Sequence, residues 1–142
     1  MKIAIGGDHA SFEYKGKLIE FLESEGHIVQ DFGPDSENSV DYPDHVHPLT
    51  KSILNRTNEY GILICGSGNG VAITANKHQG IRAGLCWNEE VAELIRLHND
   101  ANVLCLPARF VNYDQALAMV KVFFSTEFEG GRHQRRVDKI PC

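Results

Sequence analysis

Short apolar runs alternate with amphipathic segments along the whole chain. Apolar runs of this kind are typical of strands that are buried on both faces of a parallel sheet. The pattern predicts five strands, at Lys2–Gly6, Ile28–Phe32, Tyr60–Cys65, Ile81–Cys86 and Val103–Leu106.

The segments between these strands carry apolar residues at helical spacing. Asn112, with Gln115 three residues later, resembles a capping box. The predicted helices run from Ser11 to about Glu25, from Pro43 to about Asn55, over Val71–Lys77, over Asn88–Leu97 and from Asn112 to near Phe124. The alternation of strand and helix predicts an α/β fold with one doubly wound domain, residues 1–142, on a five-stranded parallel sheet.

Composition narrows the function classes. The 142 residues carry a net charge of -5, and a negatively charged protein does not attract nucleic acid or an anionic membrane. No apolar run is long enough to cross a bilayer, and the first residues do not form a signal peptide. The four cysteines are widely spaced, as in proteins of reducing compartments. We therefore expect a cytoplasmic protein with no nucleic-acid or membrane partner.

The turn Gly66-Ser67-Gly68-Asn69-Gly70 follows the third predicted strand, at the edge where doubly wound sheets bind ligands. Its glycines let several backbone N–H groups point at one anion, either a phosphate or an oxyanion formed during reaction. A plain tight turn is the alternative. Because no Gly-Lys-Ser/Thr follows and Val71 replaces the third glycine of the dinucleotide fingerprint, a nucleotide-binding regulatory domain is disfavoured.

Cys65 is the last residue of the third predicted strand and directly precedes that turn. The start of a following helix favours the thiolate, which can act as a general base toward a carbon acid. Inert packing in a buried strand is the alternative for Cys65. Packing is also the expected role of Cys86 and Cys105, and Cys142 is expected to be exposed.

Two histidines are predicted to lie at one mouth of the sheet. His9 follows the first strand together with Asp8, and His98 follows the helix before the fifth strand. Imidazoles titrate near neutral pH, so the pair suits acid–base chemistry. The alternatives are a helix cap for Asp8-His9 and a helix C-terminal residue favoured by the dipole for His98.

Positive charge is concentrated in the C-terminal tail, residues 125–142, of this acidic chain. In a helix, Arg132 and Arg136 would share one face, and two guanidinium groups can grip a phosphate. Arg109, after the fifth strand, is a third candidate for the same anion. A solvated basic tail is the alternative.

The segment 41–47 is rich in possible metal ligands, but its two histidines fall on different sides of a helix and prolines restrict it. The sequence therefore predicts neither a metal nor a cofactor. The residues concerned are Asp41, Asp44, His45 and His47.

Taken together, these motifs resemble the ribose-5-phosphate isomerase type B family, which also includes allose and galactose phosphate isomerases. The matching residues cover nearly the whole chain in order: Asp8-His9, Asp41-Tyr42-Pro43, Cys65 to Gly70, Ala75-Asn76-Lys77, His98 to Val103 and Gly130 to His133.

The resemblance implies a Rossmann-like, three-layer α/β/α sandwich that works as a homodimer or dimer of dimers. It implies active sites shared between subunits and completed by the tail. The implied reaction interconverts ribose 5-phosphate and ribulose 5-phosphate through an enediolate, with allose 6-phosphate or galactose 6-phosphate as alternative substrates.

The resemblance also implies a role for each candidate residue. Cys65 is similar to the base that moves a proton between C2 and C1, Ser67 to a group that moves protons between O1 and O2, and His98 to the acid that opens the furanose ring. The remaining residues resemble binding groups: Asp8, Tyr42 and Asn99 for the sugar, Gly66, Gly68, Asn69 and Gly70 for the enediolate oxygens, and His9, Arg109, Arg132 and Arg136 for the phosphate.

Two features of this chain refine the implied site. Some family members carry a glutamate base just after the glycine turn, where this chain has Val71, so the resemblance implies that Cys65 is the base. Galactose-phosphate enzymes divide their site between two different chains. This single chain carries every element, which favours a self-sufficient homo-oligomer.

Overall fold

The computed structural model describes all residues, 1–142. It confirms the predicted α/β class, and no helix has the length and apolar character that a membrane crossing requires. The strands are β1 (Lys2–Gly7), β2 (Ile28–Asp31), β3 (Tyr60–Cys65), β4 (Ala83–Leu85) and β5 (Val103–Pro107). The helices are α1 (Phe12–Ser24), α2 (Pro43–Leu54), α3 (Asn69–Ala75), α4 (Glu89–Asn99), α5 (Tyr113–Ser125) and α6 (Arg132–Asp138).

All neighbouring strands pair in parallel, in the order β2-β1-β3-β5-β4. Parallel pairing requires a crossover between consecutive strands, which the helices supply. The register places Gly7 beside Ile64 and Cys65 beside Pro107. The ends of β1, β3 and β5 therefore meet at one edge of the sheet, the carboxyl edge.

Side chains alternate across the sheet and build a separate core on each face. In β3, Ile62 and Ile64 point toward the core that helices α1, α4 and α5 cover, and Leu63 and Cys65 toward the core under α2 and α3. This arrangement gives the three expected layers. It also places Cys65 on the same side of the sheet as the starts of α2 and α3.

The predicted ends of the elements lie within about two residues of the observed ones, and two of the differences have an identifiable cause. Strand β4 is shorter than predicted because it is an edge strand, and the Arg82 N–H donates to the Asn102 side chain instead of a strand partner. The predicted Ser11 cap is also wrong in detail. Ser11 donates to the Asp8 carbonyl, and Asp8 caps a short 3-10 turn that precedes α1.

A buried cation fixes the loop that leads to α2. Lys15 forms an ion pair with Asp31 at 2.9 Å and donates to the Pro34 carbonyl. Asp31 also accepts from the Gly33 N–H at 2.8 Å, and the Gly33 carbonyl accepts from the Gly7 N–H at 3.1 Å. The loop is therefore tied to the end of β1, at the carboxyl edge.

Candidate active site

A cavity of about 420 Å³ opens at the carboxyl edge of the sheet. Its volume lies within the usual range for small-molecule sites. It collects many of the predicted site residues from the ends of β1, β3 and β5 and from the start of α2. Its lining consists of Asp8, His9, Tyr42, Cys65, Gly66, Ser67, Gly70, Arg109 and Phe110.

A second cavity, of about 430 Å³, lies at the opposite, amino edge. Its buried Arg96 donates to Asp100 at 2.9 Å, and Arg82 lies 3.4 Å from the same carboxylate. Both guanidinium groups are engaged by Asp100 and by backbone carbonyls, and none of the predicted site residues lines this cavity. The cavity at the carboxyl edge is therefore the candidate site.

Cys65 is the cysteine that reaches this cavity, with a residual exposure of 5%. Its Sγ accepts a hydrogen bond from the Gly68 N–H at 3.1 Å, and a donor aimed at sulfur stabilises negative charge there. Gly68 has a φ of 76°, a conformation that side-chain-bearing residues rarely adopt. Burial raises the pKa of Cys86 to about 12 and also raises that of Cys105, which keeps both thiols protonated.

The turn after Cys65 presents unused backbone donors. The N–H groups of Gly66, Ser67, Gly70 and Val71 have no acceptor within the chain. The Asn69 N–H donates to the Ser67 hydroxyl oxygen at 3.3 Å, which leaves the Ser67 O–H free to donate. Free amides beside a thiol can hold an oxygen on which negative charge develops.

Two side chains lie against glycines of this turn. A Cβ atom at Gly70 would lie 2.5 Å from the Tyr42 ring, so only glycine lets the phenol approach. A Cβ at Gly66 would lie 3.0 Å from the Arg109 Nε, and the Arg109 N–H donates to the Gly66 carbonyl at 3.0 Å. The turn therefore places a phenol and a guanidinium group beside its free amides.

Asp8 and His9 close the third side of the cavity. The Asp8 N–H donates to the Ile64 carbonyl at 3.1 Å, which fixes Asp8 beside the end of β3. Its Oδ1 caps the following turn through the Ala10 N–H, so the cap predicted as an alternative is present. The His9 Nδ1 accepts from the Val40 N–H at 3.4 Å, which leaves Nε2 free for a ligand.

The prediction that His98 shares this mouth is wrong within one protomer. Helix α4 runs back along the sheet and ends at the amino edge, where the Asn99 carbonyl accepts from Arg82, the residue before β4. The length of β5 separates the two edges by about 13 Å. His98 and Asn99 are therefore not part of the cavity around Cys65.

The tail arginines lie with His98. The tail forms α6, in which Arg132 and Arg136 are exposed, and the neighbouring His133 stacks on His98 with ring centroids 4.2 Å apart. Two other predicted residues, Gly68 and Asn69, do not line the cavity and use their N–H groups within the turn. Four predicted site residues lie at the other edge of the sheet, and we call them the amino-edge group: His98, Asn99, Arg132 and Arg136.

The two histidines of segment 41–47 contact different neighbours. The His45 Nδ1 bonds to the Phe32 carbonyl at 2.8 Å, and the His47 Nδ1 lies 2.7 Å from the His78 Nε2. These ring atoms are engaged with different neighbours and do not converge.

One other cluster brings metal-ligating atoms together, namely His98, Glu129 and His133, whose atoms lie within 4.8 Å of one another. The two imidazole planes are inclined by only 15°. An ion bound by both histidines would have to lie in both ring planes and about 2 Å from each nitrogen, the length of a zinc–nitrogen bond. Two planes that are so nearly parallel do not meet at such a point. The stacked rings do not fit a common ion.

Sequence reasoning placed Trp87 at a strand end but assigned it no role, and it missed Phe110. Phe110, 74% exposed, lines the cavity, and Trp87, 57% exposed, lines an adjoining cleft with Ser67 and Asn69. Their positions after strands β5 and β4 were the only signal. Large exposed aromatic side chains of this kind mark surfaces that bind a partner or ligand.

The fold and the cavity define a doubly wound α/β protein with a cysteine and free backbone amides at the carboxyl edge of its sheet. The family model described as Ribose/Galactose Isomerase matches residues 3–140. The chain belongs to this family, as the resemblance predicted.

Individual relatives agree with this assignment. Ribose-5-phosphate isomerase B of Escherichia coli is 40% identical over 139 residues, which cover 98% of this chain and 93% of that protein. A ribose 5-phosphate isomerase structure from Thermotoga maritima gives a TM-score of 0.96 at 48% identity, covering 99% of this chain and 97% of the other. The Mycoplasma genitalium enzyme, solved with bound ribulose-5-phosphate, gives 0.94 at 42% identity, covering 98% and 93%.

Proposed function

We propose that this chain interconverts ribose 5-phosphate and ribulose 5-phosphate. The observation that carries the proposal is the Cys65 sulfur, which lies in a ligand-sized cavity directly beside unpaired backbone donors. Aldose–ketose isomerisation requires a base at carbon and preorganised dipoles at oxygen, and this turn offers both. The family and its named relatives act on substrates of this class.

In the proposed reaction, the Cys65 thiolate removes the proton from C2 of the open-chain aldose. The electron pair moves into a C1–C2 double bond, and negative charge develops on O1, where the free amides of the turn donate to it. Ser67 moves the proton from O2 to O1, and the Cys65 thiol then returns a proton to C1. Removing one preorganised donor of this kind commonly lowers kcat by about 10²–10³-fold.

The substrate is held by side chains on both sides of the turn. Asp8 and Tyr42 contact the sugar hydroxyls, and His9 and Arg109 contact the phosphate. Arg109 makes no ion pair within the chain, so its guanidinium remains available for an anion. Binding energy from the phosphate holds C1 and C2 against Cys65.

We further propose that a second copy of the chain completes each site. Within one protomer the amino-edge group cannot reach Cys65, because the sheet lies between them. A symmetric dimer brings the amino-edge group of one protomer to the cavity of the other, and does so twice. His98 then opens the furanose ring, Asn99 binds the sugar, and Arg132 and Arg136 complete the phosphate clamp.

Two features support this shared site. Arg132 and Arg136 form no ion pair, whereas Arg82 and Arg96 are paired with Asp100, so the tail keeps its charges unneutralised. The aromatic rim of the cavity is exposed in the isolated chain and offers apolar area to a partner.

Steady-state kinetics of the single purified chain on ribose 5-phosphate, allose 6-phosphate and galactose 6-phosphate tests the proposal. We expect the highest kcat/KM for ribose 5-phosphate without any second gene product. Preference for a six-carbon sugar would reassign the substrate, and thermal stabilisation by ATP or NAD alone would remove the isomerase proposal.

A further inference from the structure

Two residues that the proposed mechanism does not use contact His98. They are Glu129, which lies in the turn before α6, and His133, the second residue of α6. The Glu129 N–H donates to the Leu97 carbonyl at 3.1 Å, at the end of α4. This bond ties the start of the tail to the helix end that carries His98.

His133 lies flat against His98. The ring centroids are 4.2 Å apart and the planes are inclined by 15°, and His133 is 7% exposed. A side chain held in a buried position restricts the rotation of a neighbour that stacks on it. His98, in contrast, is partly exposed, and its ring contacts the His133 ring and the Glu129 carboxylate.

The charges around this stack are asymmetric. The Glu129 Oε2 lies 4.0 Å from the His98 Nε2 and 3.9 Å from the His133 Nε2. Burial lowers the pKa of His133, and the positive charges of His98, Arg132 and Arg136 act in the same direction against Glu129. The uncharged form of His133 is therefore favoured, and the Glu129 carboxylate lies near the Nε2 atoms of both rings.

We propose that His133 and Glu129 are positioning residues for His98, which hold its ring and its proton in place for opening the sugar. This inference rests on the proposed function, in which His98 acts on the partner's cavity. Neither residue touches the sugar. Their loss therefore affects the step that needs His98 and leaves the chemistry at Cys65 intact.

The chemistry of the substrates separates these two steps. Ribose 5-phosphate closes into a furanose through O4 and must be opened before C2 can lose a proton. Ribulose 5-phosphate cannot close in this way, because its O5 carries the phosphate. Exchange of a C1 hydrogen of ribulose 5-phosphate with solvent deuterium therefore needs Cys65 and does not need ring opening.

The test compares conversion of ribose 5-phosphate with deuterium exchange into ribulose 5-phosphate, followed by NMR, in full-length variants. For His133→Ala we expect conversion to fall about 10- to 100-fold, as for a misplaced catalytic group, with exchange within about twofold of the wild type. His133→Phe, which keeps a flat ring in the stack, should retain most of the conversion.

Glu129→Gln is a second variant that should not disturb folding, because this side chain is 58% exposed. A fall in its activity is therefore not explained by misfolding. We expect a fall in conversion about threefold to tenfold, again without a change in exchange. Glu127→Gln, an exposed acid of the same segment, is the matched control and should leave both rates unchanged.

Failure of the positioning role and failure of the proposed function give different results. If His133→Ala and Glu129→Gln leave conversion unchanged, or lower conversion and exchange equally, the positioning role is overturned. If the wild-type chain neither converts ribose 5-phosphate nor exchanges ribulose 5-phosphate, the proposed function itself fails.

Discussion

The cavity around Cys65 at the carboxyl edge, which we call the mouth, and the amino-edge group differ in how the chain holds their side chains in place. At the mouth, backbone hydrogen bonds fix Cys65, Asp8 and the glycine turn, and Tyr42 lies against Gly70. In the amino-edge group, the two arginines extend into solvent without partners. In the proposed function the mouth is a preformed half-site, and the amino-edge group acts only against the mouth of a second copy. The predictions below test this division.

The largest effect is expected at the mouth. Cys65→Ala removes the proposed base, and we expect kcat to fall by about 10³-fold or more, since general-base groups contribute about 10²–10⁴-fold. Because the replacement is small and apolar, circular dichroism and the thermal midpoint should show a folded protein. The measurement is kcat with ribose 5-phosphate.

Cys142→Ala is the matched control for that experiment. Cys142 is exposed and lies outside the cavity, so its variant should keep wild-type activity. A near-normal kcat in Cys65→Ala would mean that another group is the base, and it would contradict the role proposed for Cys65.

Mixing two inactive variants tests the division between the regions directly. Cys65→Ala and His98→Asn disable opposite halves of the proposed shared site. When they are refolded together, half of the dimers should be mixed, and each mixed dimer carries one intact site, so activity should return to roughly a quarter of the wild type.

The control mixture combines Cys65→Ala with the double variant Cys65→Ala/His98→Asn, in which no intact site can form. Recovery in the control, or no recovery in the test mixture, would show that the two regions do not combine across subunits.

A moderate effect is expected at the phosphate. Arg132→Ala or Arg136→Ala should raise KM for ribose 5-phosphate about 10- to 100-fold. This is the loss of affinity expected when one charge-assisted hydrogen bond to the phosphate is removed. The thermal midpoint should hardly change, because both side chains are exposed and unpaired. Steady-state kinetics provides KM and kcat separately.

Arg135→Ala is the matched control, since Arg135 is an exposed arginine of the same helix outside the proposed clamp. An unchanged KM in the Arg132 and Arg136 variants would mean that the two arginines do not bind the phosphate. The tail would then be a solvated basic segment, which is the alternative given in the sequence analysis.

The same comparison explains what the sequence could predict. The fold and the mouth follow from local signals: apolar runs that become strands, and a continuous stretch from Cys65 to Gly70 at one strand end. The placement of His98 follows from topology rather than from a local signal, because a helix between two parallel strands returns to the amino edge of the sheet. The exposure of Phe110 and the stacking of His133 on His98 depend on the tertiary fold, which no local pattern encodes.

The smallest effect is expected on removal of metal ions. Neither half of the site presents ligands that converge on an ion, because the His98 and His133 planes are nearly parallel and the mouth pairs its thiol with a backbone N–H. Dialysis against EDTA should therefore leave kcat and KM of the full-length protein unchanged, with residual metal measured by mass spectrometry. A loss that a divalent ion restores would contradict a metal-free reaction. It would direct the search for the ion to segment 41–47 and to the cluster of His98, Glu129 and His133.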